Sequence, residues 1–197
     1  MSLDTTRHYI LENDRVILRP LELSDAHHLI QFSQTEPELW NYSLISASGP
    51  ENFENYMQVA FQKKAEGDSY PFIVFDKKTA AYAGSTRFYD IQPQHNTMQL
   101  GYTWYGKTFQ RTGLNRNCKF LLLEFAFETI GVERVEFRAD AQNSASIAAM
   151  KAIGCTEEGI LRNNCASSDG RRDSIVLSIP QTEWFESARA HLRNKIR

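Results

Sequence analysis

The chain has 197 residues, with 22 Lys and Arg against 24 Asp and Glu, and three cysteines. That length suits one domain with a core large enough to fold alone, and the near balance of charge gives no pull toward nucleic acid or an anionic membrane. Cys118, Cys155 and Cys165 are odd in number and widely spaced, so they form neither a disulfide framework nor a CxxC metal pair, and a reducing compartment is their natural setting. The first ten residues lack an apolar run of signal-peptide length, and no stretch approaches ~18 consecutive apolar residues. A soluble, cytoplasmic, single domain over 1–197 is expected, with no repeat or linker to divide it.

In chain order, Val-Ile-Leu-Arg-Pro at 16–20 reads as a short apolar strand ended by proline. Ser24 and Asp25 offer a helix N-cap ahead of Ala26, Leu29, Ile30 and Phe32. Residues 37–50 are irregular and hold Trp40 and Tyr42, aromatics that either line a pocket or pin the loop to the core. Phe53, Tyr56, Met57, Ala60, Phe61 and Lys64 then repeat at helical spacing, with Gly67 placed to end the helix. Strands are expected at 72–75 and 81–90, the second interrupted by Gly84, with a turn over 76–79 between them. A loop at 91–96 containing Pro93 leads into a fourth strand, and such short links predict antiparallel pairing.

Residues 100–128 organise the chain. Aromatic and β-branched residues in the first part predict a strand. Leu114, Cys118, Leu121, Leu122, Phe125 and Ala126 then fall at i, i+4, i+7, i+8, i+11 and i+12, the stripe of an amphipathic helix, and Phe120, Leu123 and Phe127 widen it. Between the two lies Gln110-Arg111-Thr112-Gly113-Leu114-Asn115. A helix start presents unpaired N–H groups and the positive end of its dipole, so a Gly and a cation placed there can hold a phosphate or diphosphate. Read alone, the same loop is equally a turn at Gly113 beside a solvated Arg111.

Residues 134–140 alternate apolar and charged, the period of a strand with one face buried. Strand, helix and strand in succession imply a parallel pair with a right-handed crossover. Asn143 is a good N-cap for the next helix, which Gly154 ends. A strand at 158–162, a polar turn at Ser167-Ser168-Asp169-Gly170 and a last strand at 173–179 follow. Thr182 can cap a final helix, with Trp184 and Phe185 packing back onto the domain.

The loop from Gln110 resembles the acetyl-CoA-binding motif of the GNAT N-acetyltransferase superfamily: Gln or Arg, two residues, Gly, one residue, then Gly or Ala. It reaches Gly113 on schedule and departs at Asn115, as relatives similar to the ribosomal-protein N-terminal (RimJ/RimL-type) acetyltransferases do. The Glu158-Gly159-Ile160-Leu161-Arg162 segment, the Asp-Gly turn and the Arg-Asp pair after it also match that group, and the resemblance spans roughly residues 10 to 185. It implies an α/β (α+β) fold: a mixed, mostly antiparallel sheet of about seven strands with helices on both faces. Its central parallel pair splays apart to admit the pantetheine arm of coenzyme A. The cosubstrate is then acetyl-CoA, with no metal. Cofactor contacts fall on Leu100, Gly101, Tyr102 and Thr103 along the fourth strand, on Gln110, Arg111, Thr112, Gly113, Leu114 and Asn115 in the loop, and on Asn143. Ser146 faces the thioester and is the candidate catalytic donor to the departing sulfur. The first two helices carry specificity for an amine acceptor, a small molecule or a protein N-terminus, and a homodimer is compatible with the group.

The implied chemistry is direct attack of an amine on the thioester, in which a base must take the amine's proton and an acid helps the thiolate leave. Many relatives carry Glu just before the Leu/Ile-Gly of the fourth strand, where this chain has Gln99, and many carry a Tyr after the fourth helix, where 155–158 offers none. Asp90, His95 and Asp140, or a water chain, are the base candidates. An acetyl-CoA-dependent N-acetyltransferase is therefore weighed against a coenzyme A-binding protein without catalysis, a sensor or regulatory binder. A P-loop enzyme is disfavoured because no Gly-Lys-Ser/Thr follows Gly113.

Overall fold

The computed structural model describes residues 3–167 and 170–196. The strands are β1 (Leu11–Glu12), β2 (Val16–Pro20), β3 (Ser69–Asp76), β4 (Ala81–Gln92), β5 (Thr97–Tyr105), β6 (Arg134–Asp140), β7 (Thr156–Ser167) and β8 (Gly170–Pro180). The helices are α1 (Ala26–Thr35), α2 (Pro50–Ala65), α3 (Leu114–Glu124) and α4 (Ser144–Ala152). A final helical stretch runs over 181–194. One eight-stranded sheet takes the order β1-β2-β3-β4-β5-β6-β8-β7. Every neighbouring pair is antiparallel except β5 with β6, which is parallel and joined through α3.

Helices cover both faces. Successive residues of a strand point to opposite sides, and on β4 the Arg87 guanidinium lies over the Tyr56 ring of α2 while Phe88 stacks on Phe125 just past α3. All nine apolar residues of the stripe from Leu114 to Phe127 are buried. The helix itself ends at Glu124 and runs on as a π-type turn, Phe125–Ile130, closed by Gly131 at φ +79°. Gly84 is required where β4 meets β5, because a Cβ there would lie 2.0 Å from the Trp104 carbonyl oxygen.

Several expectations are corrected. The mixed, mostly antiparallel sheet expected with about seven strands has eight among the described residues, counting the two-residue β1, which is too short to show a period. β3, β4 and β7 outrun their predicted bounds; on β7 an irregularity at 162–164 separates the Leu161–Ser174 pair from Cys165–Arg172, and the exposed hairpin resumes pairing beyond it. Asp25 does not cap α1. It ends a 3₁₀ turn, accepts the Glu22 N–H at 2.8 Å and takes a bidentate grip from Arg19 at 2.6 and 2.8 Å. The final helix starts at Gln181 behind Pro180, with no side-chain cap from Thr182. Trp184 is buried against Phe127, but Phe185 is exposed. Trp40 is pinned in the core, whereas Tyr42 is exposed. The predicted turn at 167–170 falls partly on residues 168–169, outside the described residues.

Candidate active site

Only three positions join the parallel strands: Thr97 with Arg134, Met98 with Val135 and Gln99 with Glu136. Beyond Gln99 the ladder stops. On its other edge β5 carries a bulge, since Gly101 pairs with Arg87 and Trp104 with Ser85, leaving two residues of β5 against Thr86 alone. A bulge bends and twists its strand, and Tyr102 absorbs it at φ +49°. The bend turns the remainder of β5 away from β6, and a cavity of about 930 Å³ occupies the region where they part.

At one end of this cavity stands the start of α3. Gly113, its N-cap, is left-handed at φ +87°, and Arg111 is at +60°. Among the described residues the N–H groups of Gly113, Asn115 and Arg116 have no protein acceptor, and that of Leu114 has only Thr112 Oγ1 at 3.4 Å. The loop is held from behind. Gln110 Nε2 donates to the Tyr105 carbonyl at 3.0 Å, Thr112 Oγ1 to the Phe109 carbonyl at 2.7 Å, and Tyr105 Oη to Asn115 Oδ1 at 3.2 Å. The result is a rigid, electropositive concavity of free amides, suited to an anion.

The other end is polar and aromatic. Gln99 Nε2 donates to Asp90 Oδ2 at 2.6 Å, and Gln92 Nε2 to Asp90 Oδ1 at 2.8 Å, while the buried Oε1 of Gln99 has no donor. Tyr89 packs edge-on against Tyr102, and burial raises its phenol pKa. Arg87 lies 4.1 Å from the Tyr102 ring and 4.8 Å from that of Tyr56, fixing both by cation–π contact. Arg172 Nη1 donates to the Tyr42 carbonyl at 3.1 Å and ties β8 to the loop after Trp40. Asn143 caps α4 by accepting the Ser146 N–H at 3.0 Å, which holds Ser146 at the cavity wall.

The structure thus brings most of the sequence-derived site together. Leu100, Gly101, Tyr102, Thr103, Gln110, Arg111, Gly113, Asn115, Asn143 and Ser146 all line the cavity, as do Asp90 and Asp140. Thr112 and Leu114 do not: the first is spent on bracing the loop and the second is in the core. His95 is exposed in the β4 to β5 turn, away from the cavity.

Lys119 was missed. It is 5% exposed, lines the cavity, and burial brings its pKa down to about 8. On a helical wheel it follows Arg116 by three residues and reads as solvent-facing, so local pattern hides it. Among the described residues no group of three or more His, Cys, Asp or Glu could hold a metal, and no helix is long and apolar enough to cross a membrane.

A sheet opened at its one parallel pair, beside a glycine-capped helix start with free amides, is the arrangement expected of the acyltransferase class that the loop motif resembles. The family model for the acetyltransferase (GNAT) domain matches residues 15–156. The chain is 35% identical over 163 residues to the [ribosomal protein bS18]-alanine N-acetyltransferase of Escherichia coli strain K12, covering 83% of this chain and 94% of that one. It is 25% identical over 179 residues to an uncharacterized N-acetyltransferase p20 of Bacillus licheniformis, covering 88% and 97%. A GCN5-related N-acetyltransferase structure from Brucella melitensis superposes with a TM-score of 0.89 at 22% identity, covering 100% of this chain and 89% of that one. The chain belongs to the GNAT acetyltransferase family, and it is an N-acetyltransferase, acting by the family's transfer of an acetyl group from acetyl-CoA to an amine.

Proposed function

We propose that the diphosphate of acetyl-CoA sits on the amides of Gly113 to Arg116 with Arg111 beside it, and that the pantetheine arm follows Leu100 to Thr103 through the gap between β5 and β6. The observation that carries this reading is the ladder that ends at Gln99 and Glu136 while the cavity continues to the α3 N-terminus. An arm with its own amides can complete the open edge of β5, as an added strand would.

The acceptor amine enters from the aromatic end. The buried, donorless Oε1 of Gln99 accepts an N–H of the amine and orients its lone pair at the thioester. Gln99 cannot take the proton; Asp90, which holds its amide, receives it directly or through water. A backbone N–H of the bulged strand stabilises the tetrahedral oxyanion, a contribution of ~2.7–4 kcal/mol in measured cases. Ser146 donates to the departing sulfur, and holding both substrates in attack geometry supplies ~7–11 kcal/mol more.

The acceptor is the N-terminal amine of a protein, reached in an extended segment. Supporting this are the exposed apolar rim at Tyr42 and Leu44, 46% and 47% exposed, and the relative that acts on a ribosomal protein's alanine. The test is thiol release from acetyl-CoA across N-terminal peptides, including ribosomal-protein termini, alongside free amino acids, polyamines and antibiotic amines. Turnover of peptides above the small amines is expected. Turnover of a small amine with every peptide silent would overturn the acceptor assignment.

A further inference from the structure

Lys119 Nζ donates to Thr103 Oγ1 at 2.8 Å and lies 3.5 Å from Thr86 Oγ1, and the two hydroxyls are 2.7 Å apart, each within 3.4 Å of the Gly101 carbonyl oxygen. Across the gap Nζ is 5.8 Å from the centre of the Phe137 ring on β6. The ammonium therefore stands between the two parting strands, beyond their last paired residues, and it faces the cavity.

Its surroundings do not satisfy it. An ammonium has three N–H donors, and the protein offers this one two hydroxyls, both already shared. No carboxylate lies within salt-bridge distance of Lys119 among the described residues. The titratable groups bearing on it are the thiols of Cys118 on its own helix and Cys155 after α4, both pushed up to about 12 by burial and so uncharged at neutral pH. A buried cation with a proton unspoken for is costly unless a ligand accepts it.

We infer that Lys119 is a binding residue for the cosubstrate's arm, its third N–H donating to a pantetheine amide carbonyl lying in the gap. The inference rests on the arm's proposed path and adds to it a charged clamp that the helix-start amides do not provide. An accepting carbonyl favours the charged lysine, so the bound state holds the proton more tightly than the free one. Affinity for any ligand carrying the arm then falls as pH rises through about 8, where free Lys119 discharges.

The experiment is calorimetry with a non-transferable S-ethyl thioether of coenzyme A and, as the armless comparison, adenosine 3′,5′-bisphosphate, from about pH 6.5 to 9.5. Lys119→Met and Lys119→Gln are compared with the unaltered chain. The unaltered chain is expected to lose roughly tenfold in thioether affinity across this range, the size of one charge-assisted hydrogen bond. Lys119→Met should bind the thioether about tenfold more weakly at the low end, and its remaining pH dependence should match that of the armless ligand. Lys119→Gln, which keeps a neutral donor, should fall between. Both variants should bind the bisphosphate as the unaltered chain does. Thioether binding by Lys119→Met with unaltered affinity and pH profile overturns the inference, as does equal weakening toward the bisphosphate, which marks a packing defect. Failure of the unaltered chain to bind either ligand removes the cosubstrate's seat and the clamp together.

Discussion

Gln99 donates its side-chain amide to Asp90 at 2.6 Å, and because a carboxylate can only accept, this contact fixes which end of the amide faces the cavity. The end left without a partner is the oxygen, which is buried. An unsatisfied acceptor of this kind costs about 1–3 kcal/mol in the free protein, a cost that an amine substrate removes. Gln99→Met should therefore leave Tm nearly unchanged while raising the acceptor KM roughly tenfold. Steady-state kinetics at saturating acetyl-CoA would read this directly, and an unchanged acceptor KM would remove Gln99 from the site.

Gly113 separates backbone from steric effects. A Cβ at this position meets no atom within 4 Å, so Gly113→Ala is free of clashes, yet φ +87° is a conformation that L side chains resist. Gly113→Ala should cost roughly 1–2 kcal/mol of stability, seen as a lower thermal midpoint. Gly113→Asp adds a negative charge in the open space where the diphosphate is proposed to sit, and coenzyme A affinity should fall at least tenfold further by calorimetry.

The Arg19 and Asp25 pair is expected to contribute to acid stability. Burial tends to raise the Asp25 pKa, but the Arg19 grip and the Glu22 N–H outweigh it and hold the carboxyl below its ordinary value. A lowered folded-state pKa contributes stability that is present above the unfolded value, about 3.9, and is lost as pH falls through the folded one. Asp25→Asn should flatten that acid limb of a denaturation series and cost about 2–3 kcal/mol at neutral pH, allowing for the partly exposed Arg19. An unflattened limb would assign acid sensitivity elsewhere.

The cysteines should differ in reactivity. Cys118 and Cys155 are buried, with thiols pushed up to about 12, whereas Cys165 is half-exposed on the cavity wall. Iodoacetamide should label the folded chain once, at Cys165, and peptide mapping by mass spectrometry would show it. Prior labelling of either buried thiol would mean the core opens on the labelling timescale.

The helix stripe from Leu114 was legible because its apolar residues recur at helical spacing, although α3 is buried nearly all round, and the alternation at 134–140 because β6 buries alternate residues. The glycine-capped loop and the Asn143 cap were legible because their backbone demands few residue types. Lys119 was not, since wheel position says nothing of a gap opened by two strands distant in sequence. The orphaned oxygen of Gln99 was equally hidden, because it depends on Asp90 arriving across a β4 to β5 register that shifts between Tyr89 and Gln92. The capping role expected of Asp25 failed because a guanidinium six residues earlier competes better for the carboxylate than a helix amide does.

The three-pair junction of β5 with β6 also has a mechanical meaning. It divides the sheet into an N-terminal set of five strands in chain order and a C-terminal set of three in the order β6-β8-β7, and little backbone bonding holds the two halves in register. Amide-hydrogen exchange should therefore be faster at Leu100 to Thr103, which have no partner on the β6 side, than at Thr97 to Gln99, and a ligand lodged in the opening should act as a splice that lets both halves unfold only together.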